Sequence, residues 1–147
     1  MFKVMLALHL LTAIFAIGPL VHASTTASRG LRQKDAAALA SSARVIKIYS
    51  IASVIVVIFG FGLMSSKSPY GNHDTVASFS EPWIWISTLL WIAAVGLCHA
   101  LVIPPLEKSA KDVEQAPALV GKVAAGGGLI GIIFAVIVVL MVYRPGA

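Results

Sequence analysis

The chain has 147 residues, 59% of them apolar and only 12% charged, with a mean hydropathy of +0.92, whereas a soluble domain carries about twice that charge. Eleven Lys and Arg against six Asp and Glu give a net charge of +5, but the basic residues sit between long apolar runs and form no aromatic-interleaved stripe, which argues against a nucleic-acid binder. The single cysteine, Cys98, rules out an intrachain disulfide, and length allows one domain.

Four runs are long enough to cross a hydrocarbon core of ~30 Å as helices of about 20 residues. The first covers residues 4–21. Together, Lys3, this run and Val21-His22-Ala23 resemble a cleavable signal peptide with a small-x-small ending. Cleavage would place the basic segment 29–47 outside, and Pro19 and His22 disturb the cleavage region, so the run is expected to stay as a span. The following connection has no helix breaker between Lys34 and Arg44, and Asp35 stands before three alanines as an N-cap. The second helix is therefore expected to begin near Ala36, ahead of its apolar run at 45–64.

Across residues 65–80, Pro69, Tyr70, Gly71, Asn72 and His73 read as turns. The third run, 82–103, holds no charge and opens on Trp83 and Trp85. Pro104-Pro105 is expected to end or kink it. Beyond it, Glu107 with Lys111 and Lys108 with Asp112 stand at i,i+4, as in a solvated helical turn. Pro117 suits the first turn of a fourth helix, whose uncharged run is 123–143. None of the runs alternates apolar with polar residues, so a barrel is disfavoured. The expected fold is all-α, a single four-transmembrane-helix bundle over 1–147.

Arg29, Arg32, Lys34, Arg44, Lys47, Lys108, Lys111 and Lys122 fall on one side of these spans, against Lys3, Lys67 and Arg144 on the other. The richer side is expected to be cytoplasmic and both termini non-cytoplasmic. Within lipid, helix association depends on small residues that permit close approach. Gly127 with Gly131 and Gly121 with Ala125 have that spacing in the fourth span, either for internal packing or for docking another subunit.

His9, His22 and His99 lie in or near spans, where ionisable groups are costly. His9 is expected to bond across to another helix. His22 and His99 fall at comparable depth on the first and third spans, as bis-histidine haem or copper would require; the bland alternative is interfacial hydrogen bonding. Adjacent Cys98 and His99 point about 100° apart on a helix and make a poor joint metal site. All six acidic residues lie in loops or at span ends, which disfavours ion-coupled transport. A small homo-oligomeric transporter would have only Thr12, Ser50, Ser53, Ser87 and Thr88 for its path. No catalytic triad, zinc motif or phosphate loop is present, so an enzyme is not expected.

Leu8-His9-Leu10-Leu11-Thr12-Ala13, then Gly18 and a basic stretch with Arg29 and Arg32, resembles the opening of a family of small bacterial four-helix membrane proteins of unknown function. That family has some likeness to the copper-resistance D type. The stretch from Leu101 to Lys108, an apolar run leading to Pro and Leu-Glu-Lys, is similar to that family's third-span exit. The resemblance covers most of the chain through helix order and helix ends; the triple glycine at 126–128 falls outside it. It implies four spans in a bacterial inner membrane and no activity. Short connections and glycine-lined spans suit an accessory or structural subunit beside membrane-protein partners, resembling the small peripheral subunits of respiratory assemblies.

Overall fold

A computed structural model describes residues 1–69 and 75–146. Among them are four helices long and apolar enough to cross a membrane: α1, Phe2–Gln33; α2, Ala36–Met64; α3, Pro82–Lys111; and α4, Val113–Tyr143. Each packs on its neighbours in a closed order, α1 on α2, α2 on α3, α3 on α4 and α4 on α1. Helices α1 and α3 are diagonal and meet chiefly near their basic ends.

The described ends of the chain, with residues 65–69 and 75–81, occupy one end of the bundle, and the two short basic connections occupy the other. The α1–α2 connection is the tightest. Lys34 adopts the left-handed region (φ 51°, ψ 38°) and closes α1. Its N–H bonds the Leu31 carbonyl at 3.3 Å, and that of Asp35 bonds the Gly30 carbonyl at 3.1 Å, the 5→2 and 6→1 pair of a Schellman motif. Asp35 then caps α2, its side chain accepting from the Ala38 N–H at 3.0 Å, as the sequence suggests. One residue ends a helix and the next begins another.

Both α1 and α3 run on past the ends assigned from hydropathy. Pro104-Pro105 does not end α3, which continues to Lys111. Instead the chain widens into a π-helical turn at Cys98–Val102, and α1 has a second one at Ala13–Ile17 just before Pro19. The cause is shared. A proline ring strikes the carbonyl four residues back and offers no N–H to it. Those carbonyls belong to Phe15, Ala100 and Leu101, all inside the widened turns. An i→i−5 turn lets the helix pass its prolines at the cost of one looped residue.

The i,i+4 ion pairs expected after Pro105 are not formed. Asp112 breaks the helix and turns to its own segment, accepting from the Glu114 N–H at 3.2 Å and from the Gln115 amide at 2.6 Å. The ion pair found among the described residues is Lys34 with Glu114 (3.0 Å), which ties the two basic connections together. Pro117 lies in the first turn of the α-helical part of α4. The turns expected across Tyr70–His73 lie outside the described residues.

Packing is uneven along the bundle. The main core is drawn largely from the basic half, with Leu20, Leu31, Leu39, Ile46, Cys98, Val102, Leu106 and Val123 fully buried. There the four helices meet. Toward the termini they part into two pairs: residues 2–12 pack on α2, and residues 82–97 pack on α4. Large side chains span the gap. Met64, Ala77, Trp83 and Ile84 form a second cluster against Phe61, and Arg144 lies over the Trp83 ring at 5.7 Å.

Candidate functional site

Three polar or close-packed contacts inside the bundle carry the residues with chemistry. The first joins α1 to α2. His9 is buried, and its Nδ1–H donates to the Val56 carbonyl at 3.0 Å. The ring has room because residue 60 is glycine: a Cβ there would lie 3.1 Å from His9 Cε1. One turn on, the Thr12 hydroxyl bonds the Leu8 and His9 carbonyls at 2.7 and 3.1 Å, just before the π turn. His9 is thus a cross-helix fastener, since a carbonyl can only accept from it.

The second contact joins α2 to α3. The Ser50 hydroxyl donates to the Lys47 carbonyl at 2.9 Å. With its one proton used, it accepts from the Nε2–H of His99 at 3.0 Å. One turn along α2, Ser53 donates to the Ser50 carbonyl at 2.6 Å and accepts from the Trp91 indole at 2.9 Å. Ser50 and Ser53 are both fully buried. The result is a short polar ladder on an otherwise apolar seam. His99 is exposed and projects from the π turn before Pro104.

The third contact joins α1 to α4. A Cβ on Gly127 would come within 2.7 Å of the Ser24 carbonyl carbon and 3.3 Å of Thr25 Cα. Only glycine allows two backbones this close. Gly131 faces Thr25 and Val21 one turn further, and Gly126 faces Val102 and Leu101 of α3. Gly121 and Ala125 lie on the exposed surface, and a Cβ at Gly121 would meet nothing within 4 Å.

The structure does not join His22 to His99. His22 is exposed on α1 and its ring makes no hydrogen bond among the described residues, while His99, on the diagonally opposite α3, is engaged with α2. Axial ligation through Nε2 would have to break the Ser50 bond. Cys98 is buried in the core beside His99, and the described residues contain no group of three His, Cys, Asp or Glu placed to hold a metal. The hydroxyls considered for a transport path are mostly taken by their own helices: Thr12 bonds Leu8 and His9, and Thr88 bonds Ile84. Ser87 is buried without a partner among the described residues.

No family model, no curated protein and no solved structure matches this chain.

Arg29, Arg32, Lys34, Arg44, Lys47, Lys108, Lys111 and Lys122 are all exposed. Arg29 and Arg32 lie on α1 itself, one helical turn before its C-cap, and not in a loop. The partners Val56, Gly60, Ser50 and Trp91 are invisible to a one-dimensional reading, although Ser50 and Ser53 at i,i+3 do mark a single polar face on α2.

Proposed function

We propose that the chain is a multi-pass protein of a bacterial cytoplasmic membrane, with both termini outside, serving as a small accessory or helper subunit of a membrane complex. The observation that supports docking is the placement of glycines on the outer surface. Gly18, Gly96, Gly121 and Gly128 are exposed on α1, α3 and α4, and a Cβ at any of them would meet nothing within 4 Å. An exposed glycine inside a helix costs about 1 kcal/mol relative to alanine. Inside this chain no close approach offsets that cost, whereas a neighbouring transmembrane helix would use it. Around these glycines the surface is strongly apolar, with Ile14, Phe15, Leu89, Ile92, Leu129 and Ile132 exposed. The polar ladder and the His9 bond are consistent with a fixed bundle rather than a moving carrier.

Affinity purification of the tagged chain from its native membrane in a mild detergent tests this. Stoichiometric recovery with a larger assembly is the expected result and names the process served. Recovery of the chain alone across several gentle detergents overturns the subunit reading.

A further inference from the structure

The C-terminal third of α1 carries a polar face that the bundle touches only at its edge, where Thr25 meets Gly131 of α4. Thr25, Thr26, Ser28, Arg29, Arg32 and Gln33 line a shallow groove of about 450 Å³ on its outer side. At 100° per residue these six positions fill one continuous arc. The buried residues of the same segment, Leu20, Ala23, Ser24, Ala27, Gly30 and Leu31, fill the opposite arc. This part of α1 is therefore two-faced, unlike its apolar first half.

We propose that this groove binds the phosphate headgroup of an anionic phospholipid. The two guanidiniums are one turn apart on one face, and neither forms an ion pair among the described residues. The nearby acids are engaged elsewhere: Asp35 caps α2 and Glu114 holds Lys34. Thr25 and Thr26 give their hydroxyl protons to the Val21 and His22 carbonyls, so they shape the groove while Ser28, Gln33 and the arginines supply donors. Arginine matches phosphate oxygens with two parallel N–H groups, a geometry lysine lacks.

Depth supports a lipid. The first apolar run ends at Val21, and at ~1.5 Å per residue Thr25 and Arg29 lie roughly 6 and 12 Å beyond it. Helix side chains lean toward the helix N-terminus, which on α1 is toward the bilayer. The guanidiniums therefore reach back to the headgroup layer, as basic side chains at a membrane edge do. The inference rests on the membrane reading above, but not on the presence of a partner subunit.

The test is native mass spectrometry of the delipidated full chain in detergent, titrated with phosphatidylglycerol or with phosphatidylcholine of the same acyl chains. The wild type is expected to prefer phosphatidylglycerol. Arg29→Gln with Arg32→Gln should weaken its tightest binding by roughly 10–30-fold. Lys108→Gln with Lys111→Gln removes the same charge from the same end and should leave that binding within about twofold. Arg29→Lys with Arg32→Lys keeps the charge and should recover only part of it. If the arginine double variant does not fold, each single substitution is read in its place and should show part of the loss. Equal loss in the lysine variant, equal binding of the two lipids by the wild type, or displacement by millimolar inorganic phosphate would each overturn the site. Failure of the membrane reading is seen separately, as release of the chain from native membranes by alkaline carbonate.

Discussion

The contact of Gly127 with Ser24 makes the sharpest prediction because its neighbour supplies the control. Gly127→Ala drives a Cβ onto the Ser24 carbonyl oxygen and to 2.7 Å from the carbonyl carbon, backbone atoms that cannot rotate away. Ordinary carbon contacts lie at about 3.5–4.0 Å, so α1 and α4 must separate by roughly 1 Å at this point. Overpacking of this kind costs about 1–3 kcal/mol. Gly128→Ala adds the same methyl one residue away, where nothing lies within 4 Å. Both substitutions gain the same helix propensity, about 1 kcal/mol at most, so it cancels between them. The difference in unfolding free energy is the overlap itself: Gly127→Ala should be less stable than Gly128→Ala by about 1–3 kcal/mol. Reversible unfolding in mixed detergent micelles, followed by circular dichroism, measures this. Equal stability of the two, or a more stable Gly127→Ala, would refute backbone contact between α1 and α4.

The His9 contact predicts coupling: Gly60→Ala should destabilise the wild type but be tolerated in a His9→Ala background, because the clash at 3.1 Å is with that ring, and a double-mutant cycle should return an interaction of about 0.5–3 kcal/mol. Lys34→Gly should stabilise by up to about 1 kcal/mol by relieving the left-handed backbone, since the ion pair it removes is 42% and 78% exposed and such pairs contribute little; a loss of stability on thermal unfolding would mean that the tie to Glu114 matters more than the turn. Ser109 is fully buried and its hydroxyl has no partner among the described residues, so Ser109→Ala should be neutral or raise the midpoint of the same titration, and a loss beyond about 1 kcal/mol would reveal an unseen bond. Cys98, also fully buried, should resist an aqueous maleimide in the folded protein and react once it is unfolded; rapid labelling of the native chain would contradict the packing of the π turn.

What sequence reading captured is local. Four apolar runs and the Asp35 cap depend on residues within a turn or two of each other, and span length is set by the bilayer. What it missed is azimuth and detour. His22 and His99 have comparable depth, but depth says nothing of which way each faces, and the closed helix order puts α1 and α3 across a diagonal. Similarly, Gly127 meets Ser24 while Gly121 and Ala125, at the same small-xxx-small spacing, face outward. Pro104-Pro105 reads as an end or a kink because α-helical geometry resists proline, but the widened turn gives a third course. The pairs Glu107–Lys111 and Lys108–Asp112 have ideal spacing, yet Asp112 satisfies the next turn's donors instead. A capping bond to backbone outcompetes a solvated ion pair worth a few tenths of a kcal/mol.

The uneven packing gives the molecule leverage. Two helix pairs are gripped at the basic half and separate toward the termini, joined there by large side chains such as Trp91, Trp83 and Phe61. The arms beyond the grip are 11 residues on α1 and 16 on α3, or roughly 16 and 24 Å. A rotation of about 10° at the grip would therefore shift their tips by about 3–4 Å. Changes at Leu39, Val102 or Val123 are magnified along the arms, while changes at the tips stay where they are made.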